Sequence, residues 1–223
     1  MNAICVADIH GDVDAISKLA KSMSVKDFDY VFLLGDYSRG FKDPAENKAD
    51  IIFILETLKD FKVYAIPGNC DQKESVEMFK KKGVNLHNTV LETPEADIIG
   101  LGGSNPTPFK TPFELSEEEI LKSLNGMHEQ IQKGRKTILI CHAPPHNTLC
   151  DMINQQTHVG STAVRKFIEE KQPDLVLCSH IHESAGKKDT IGKTRIMNLG
   201  KISEGRAYEL TLDAGLNIEF YTG

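Results

Sequence analysis

The stretch Ile4-Cys-Val-Ala-Asp-Ile-His10 sets the reading of the whole chain. Its first half is an unbroken apolar run, short enough for a strand buried on both faces. Its second half puts a carboxylate and an imidazole two residues apart where that strand, Ile4–Ala7, ends. Helical spacing follows over Val13–Met23, then a second apolar run, Tyr30–Leu34, that stops at Gly35-Asp36. The unit comes a third time, with a helix over Pro44–Leu58, a strand over Val63–Ile66 and the exit Gly68-Asn-Cys-Asp71. Proline in the first turn suits that helix. Such alternation predicts parallel strands joined by crossover helices.

Downstream the pattern changes. A helix over Lys73–Lys82 closes at Gly83, and Leu86–Glu92 and Ile98–Leu101 read as strands with only a short turn between them. Residues Gly102–Pro112 are rich in glycine, proline and small polar residues and form the one clear irregular loop. Ser116-Glu-Glu-Glu119 opens an amphipathic helix with a capping-box pattern, expected to run to about Lys133 before Gly134. Thr137–Cys141 and Leu175–Cys178 read as buried strands with the helix Thr162–Lys171 between them. Thr194–Asn198, Ala207–Leu212 and Leu216–Tyr221 complete the strands, with Asp213-Ala-Gly215 as a hairpin turn. Crossover units mixed with consecutive strands suit an α/β fold of two packed mixed β-sheets flanked by helices, expected as one domain over residues 1–223.

Five of the apolar runs end on groups that bind metals. Asp8 and His10 follow the first, Asp36 the second, and Asn69, within Gly68-Asn-Cys-Asp71, the third. His142 follows Thr137–Cys141, and Ser179-His-Ile-His182 follows Leu175–Cys178. Strand C-termini in an α/β sheet point to one edge, where ligands bind, so residues spread over most of the chain converge there. Each exit alone also reads as an ordinary turn; the joint pattern is what argues for a site. His180 and His182 share a face of extended chain. Imidazoles, carboxylates and one amide suit borderline cations such as Mn, Fe, Zn, Ni or Co, whereas calcium wants more oxygens. A carboxylate can bridge two such ions, and a pair about 3.5–4 Å apart clamps an in-line displacement at phosphorus. One ion lowers the pKa of a bound water toward ~7, which supplies a hydroxide nucleophile.

Composition narrows the partners. The 223 residues suffice for a full core, and 40% hydrophobic with 26% charged is globular. A net charge of -6 argues against a nucleic-acid partner held by a basic surface, although metal ions add positive charge that this count omits. The five cysteines, Cys5, Cys70, Cys141, Cys150 and Cys178, make no CxxC pair. They point to a reducing compartment without disulfides. The N-terminus enters a strand directly and no apolar run approaches the ~18 residues of a membrane span. A cytoplasmic protein without a membrane partner is expected.

The order D-x-H, GD, GN-x-D, H and x-H-x-H, read here as Asp8-Ile-His10, Gly35-Asp36, Gly68-Asn-Cys-Asp71, His142 and Ser179-His-Ile-His182, resembles the calcineurin-like metallophosphoesterases, especially their small single-domain bacterial and archaeal members. The resemblance runs from Asp8 to His182 and implies a two-sheet sandwich. It also implies that Asp8, His10 and His182 bind one metal, that Asn69, His142 and His180 bind a second, and that Asp36 bridges both. Asp36, Asn69 and His142 are the expected centre of catalysis on a small phosphoester.

Two positions depart from the family pattern. Ser179 replaces a glycine, a mild change. Cys70 stands where phosphomonoesterase members carry a histidine thought to assist the leaving group, so the chain looks more like a diesterase. Arg39, Cys70 and His146 are candidate substrate contacts; each also reads as a plain loop residue. His158 stands with His146, whereas His87 and His128 read as surface residues. The Gly102–Pro112 loop reads equally as a substrate wall or a plain loop. A non-catalytic scaffold of the same fold and a nuclease are the competing functions. The oligomeric state is left open.

Overall fold

The computed structural model describes residues 1–223 apart from Lys42, Gln155, Ala214 and Gly223. The expected crossovers form β1 (Asn2–Val6), α1 (Val13–Met23), β2 (Tyr30–Leu33), α2 (Pro44–Thr57), β3 (Val63–Ala65) and α3 (Ser75–Lys82). The chain then builds β4 (Thr89–Glu92), β5 (Ala96–Leu101), α4 (Glu117–His128), β6 (Lys136–Cys141), α5 (Thr162–Lys171), β7 (Leu175–Cys178), β8 (Lys188–Ile191) and β9 (Thr194–Asn198). It finishes with β10 (Tyr208–Leu212) and β11 (Leu216–Phe220). The two sheets have the orders β11-β10-β1-β2-β3 and β4-β5-β6-β7-β9-β8.

Strand alternation explains the layers. In β1, Ala3 and Cys5 face the core between the sheets, while Ile4 and Val6 pack under α1 and α2. In β6, Ile138 and Ile140 face the same inter-sheet core, while Leu139 and Cys141 pack under α4 and α5. Central strands are therefore covered on both faces, which is why they read as unbroken apolar runs. The helices start at side-chain caps: Asp12 accepts from Ala15 N–H, Asp43 precedes Pro44, and Ser116 and Glu119 close a capping box.

Three expectations shift. α4 ends at His128 rather than near Lys133, and the chain turns before Gly134 takes φ +84°. β8 was not foreseen; it is an edge strand with a largely exposed, polar sequence that lacks the apolar signal. The expected strand over Leu86–Glu92 begins only at Thr89, with Leu86 plugged into the inter-sheet core. β10 and β11 pair as an antiparallel hairpin, and Ala214 of the expected turn lies outside the described residues.

Because β1–β3 run parallel in one sheet and β5, β6, β7 and β9 in the other, two sets of strand C-termini meet at one edge. Backbone bonds knit the exits together. Asp8 N–H donates to Gly35 O at 3.1 Å, His10 N–H to Asp36 O at 2.8 Å, and Ser179 N–H to His142 O at 2.9 Å.

Candidate metal centre

The exits from β1, β2, β3, β6 and β7 bring all seven expected ligands to that edge. Two clusters result: Asp8, His10 and His182, and Asp36, His142 and His180. The Nε2 atoms of His10 and His182 lie 3.3 Å apart, and His182 Nε2 lies 3.3 Å from Asp8 Oδ2. In the second cluster, His142 Nε2 is 3.0 Å from Asn69 Oδ1 and 3.6 Å from Asp36 Oδ2. Asp36 Oδ2 is also 3.8 Å from His10 Nε2, so one carboxylate oxygen faces both clusters.

Local hydrogen bonds aim these atoms. His10 Nδ1 donates to Ser38 O at 3.2 Å and His142 Nδ1 to Leu34 O at 2.7 Å. Each bond fixes a proton on Nδ1 and turns Nε2 toward the centre, the arrangement usual for imidazole ligands. Asn69 Nδ2 donates to Thr111 Oγ1 at 3.1 Å, and that hydroxyl donates to Glu114 Oε1 at 2.8 Å. Carboxylates only accept, so the direction of both bonds is fixed and Asn69 must turn its oxygen inward. The Gly102–Pro112 loop therefore positions a candidate ligand, a role the sequence reading did not assign. Asp71, fully buried, accepts the N–H groups of Asp36, Tyr37 and Gly68 at 2.9, 3.0 and 2.7 Å and Asn47 Nδ2 at 2.7 Å. It locks the β2 and β3 exits together.

Several features fit cations. Asp8 is fully buried; its Oδ2 takes the Ser179 hydroxyl and His180 N–H, while its Oδ1 has no hydrogen-bond partner. A buried acceptor left bare is costly unless something positive fills the space. Ser179 thus adds a bond that the family's glycine could not make. Asp8, His10, Asp36 and His180 all adopt positive φ, from +48° to +70°. Each such non-glycine residue costs on the order of 1–3 kcal/mol, and such strain clusters at functional sites. Gly35 and Gly68 permit the close loop contact: a Cβ on Gly68 would stand 2.0 Å from Asp36 Oδ1, and Gly35 takes φ +96°.

Protons hold the cluster together in the protein alone. Burial would raise the Asp36 carboxyl, but His142, His10 and His180 outweigh it and hold it well below the usual range. Burial would lower His142, yet Asp36 and Asp8 raise it to about 9. His180 falls to about 4, from burial and then from repulsion by His142.

The candidate substrate contacts separate. Cys70 N–H donates to Asp36 Oδ1 at 2.9 Å, which puts residue 70 beside the centre. Burial and then Asp36 push its thiol far up, the reverse of the deprotonation that cations would favour. Arg39 is exposed and lies across Gly11, where a Cβ would meet its Cγ at 2.8 Å, next to His10. His146 N–H donates to Ser161 O, its carbonyl accepts from Arg165, and its ring lies 5.9 Å from His158. Those contacts tie it to the start of α5, not to the ligands. His87 and His128 are not plain surface residues. His87 accepts Gly102 N–H at 2.9 Å and is pushed to about 4 by burial and Lys80, and the half-buried His128 packs edge-on to Phe167.

A family model described as calcineurin-like phosphoesterase matches residues 1–184. The chain belongs to the calcineurin-like phosphoesterases. It is 33% identical over 204 residues to an uncharacterized protein of Methanocaldococcus jannaschii, covering 89% of this chain and 87% of that one. Its fold is similar to that of a Thermus thermophilus protein at 20% identity and TM-score 0.73, with 98% of each chain covered. A dimetal phosphatase from Danio rerio matches at 11% identity and TM-score 0.72 over 99% of this chain and 95% of that one. Among the described residues, no helix is long and apolar enough to cross a membrane.

Proposed function

We propose that this calcineurin-like phosphoesterase hydrolyses small phosphodiesters with two divalent transition-metal ions. The observation that carries the reading is the position of Asp36 Oδ2, 3.8 Å from His10 Nε2 and 3.6 Å from His142 Nε2. One oxygen facing two imidazole clusters suits a bridge between two cations. Asp8, His10 and His182 would hold one ion, Asn69, His142 and His180 the other. The nitrogen and oxygen donor set suits Mn, Fe, Zn, Ni or Co. When bound, the ions supply Lewis acidity and an activated water. The relationship in fold to a dimetal phosphatase supports the count of two.

The preference for diesters rests on Cys70. Unactivated monoesters are among the slowest substrates to hydrolyse, and a positioned acid contributes about 10²–10⁴-fold. A thiol, with a reference pKa of ~8.5, is a weak donor at neutral pH, and beside two cations it would lose its proton rather than hold it for the leaving group. The test is kcat/KM for a matched aryl diester and monoester, with Mn, Ni, Co, Zn or Mg added. Cys70→His should raise monoester cleavage relative to diester cleavage, and Cys70→Ser should keep most diester cleavage. Loss of diester cleavage in Cys70→Ser at normal metal content would make the thiol itself catalytic and end this account. Two bound ions with no cleavage of any ester would instead favour a scaffold.

A further inference from the structure

Between β6 and α5 the chain makes a long loop organised around Asp151. That residue is fully buried, and its carboxylate accepts the N–H groups of Asn147, Thr148 and Gly160 at 3.1, 2.8 and 2.9 Å. One further contact goes to an imidazole: His158 Nδ1 donates to Asp151 Oδ1 at 2.7 Å. Since the carboxylate only accepts, Nδ1 carries the proton, and the ring is fixed in tautomer and orientation. Its side chain remains 25% exposed. The backbone donors nearly fill the carboxylate's roughly four acceptor sites without the ring. Asp151 thus organises the loop through its backbone bonds and holds the His158 ring in addition.

The loop is fastened to both sides of the metal centre. Met152, bridged to His158 across the loop, bonds through its N–H and its carbonyl to Ser184 Oγ at 3.0 and 2.9 Å. Ser184 shares a single helical turn with His182. Asn198 Nδ2 joins Cys150 O to Ser179 O and Ile181 O, the backbone that carries His180. On the other side, Val159 O accepts from Asn105 Nδ2 at 3.2 Å, in the loop whose Thr111 orients Asn69. His158 thus rides on a segment spanning the His180–His182 exit and the Asn69 support.

We propose that His158 is a further catalytic residue, which gives its Nε2 proton to the leaving oxygen of the phosphoester, with Asp151 as its positioning residue. The inference rests on the phosphodiesterase reading above and supplies the acid that residue 70 does not. With a second proton at Nε2 the ring is a cation, and the buried carboxylate offsets its charge. In the step, water oxygen bonds to phosphorus as the ester P–O bond breaks. The leaving oxygen keeps the electron pair of that bond and takes the Nε2 proton, and the water's proton passes to solvent. His158 regains its proton from solvent.

The test compares p-nitrophenyl methyl phosphate, whose leaving group needs little protonation, with phenyl methyl phosphate. In Mn-loaded His158→Gln, kcat/KM for the phenyl ester should fall about 10²-fold, at least about tenfold more than for the p-nitrophenyl ester. Metal content and thermal melting, measured on the same samples, should match the native protein. A second readout needs no turnover: in Zn-loaded protein, phenylphosphonate should shift the ring-nitrogen resonances of His158. Equal losses on the two esters, or ring resonances that do not move at saturating phenylphosphonate, overturn the proposal while leaving the hydrolase reading intact. A native protein that cleaves neither ester overturns both.

Discussion

Thr111→Val tests whether a hydroxyl outside the candidate ligand set governs the second of the two proposed metal sites. Valine matches threonine in shape but removes the group that accepts Asn69 Nδ2 at 3.1 Å and donates to Glu114 Oε1 at 2.8 Å. Glu114 keeps the Thr111 N–H and the Thr107 hydroxyl, both at 2.7 Å, so the loop retains its anchor. Asn69 does not: it is 3% exposed, and its amide N–H would face a methyl group. A buried donor without a partner costs about 1–3 kcal/mol. The amide can escape by flipping, but then NH₂ rather than oxygen faces the cation. Either route weakens one ion, and loss of such an outer partner typically costs about 10–100-fold in metal affinity. At about 1.4 kcal/mol per factor of ten, that range agrees with the hydrogen-bond cost. Calorimetric titration of metal-free protein with Mn should show one site near native affinity and one weakened by that factor. Thr111→Ser, which keeps the hydroxyl, should restore it. Two native-affinity sites in the valine variant, or a serine variant as weak as valine, would refute the reasoning.

Other perturbations act on the centre directly. Asp36→Asn removes the one charge facing both clusters, so activity should fall by orders of magnitude and elemental analysis should find less than the native metal; normal turnover would overturn the bridge. Gly68→Ala sets a Cβ 2.0 Å from Asp36 Oδ1, so it should displace that carboxylate and lower metal stoichiometry, read by elemental analysis of folded protein. Metal binding should release a proton, because His142 keeps its proton up to about 9 and an ion must displace it. Affinity should therefore rise with pH, about tenfold per unit while one proton is released, and level off above about 9. Titration in two buffers of different ionisation enthalpy measures the count, and a count of zero at pH 7 contradicts the assignment.

What the sequence disclosed follows from burial. β1, β2, β6 and β7 are covered on both faces, so their apolar runs stood out and their exits could be located. Asp8, His10, Asp36, His142, His180 and His182 were legible because each follows such a run, and Asn69 because it follows the shorter apolar run of β3. β8 was not legible, since an exposed edge strand made of Lys188-Asp-Thr-Ile191 has no apolar face to announce it. Ser179, Asp71 and Thr111 were visible as residues but not as roles. Their work is hydrogen bonding to loops far away in the chain, with Ser179 reaching Asp8 and Thr111 reaching Asn69. No spacing rule encodes such partners. The left-handed conformations of Asp8, His10, Asp36 and His180 were hidden for a similar reason, as aspartate and histidine carry no signal as clear as glycine's for positive φ.

These hidden features share a sign. Asp8 Oδ1 lacks a donor, and four candidate ligand residues hold a strained backbone. Each raises the free energy of the metal-free fold, and a cation bound at the same edge would offset that cost. The scaffold is built to tolerate this. Asp71 ties the β2 and β3 exits through three N–H donors and α2 through Asn47, and the two sheets clamp the exits from opposite sides. Rigidity of that kind keeps the seven candidate ligands pointing inward in the metal-free fold, so a cation that arrives would meet a formed site rather than having to order one. The same logic applies at His158, where a fully buried aspartate holds one partly exposed ring. In both places the chain fixes the direction of a polar atom at a cost to the fold, and the atom's use lies in what it meets from outside.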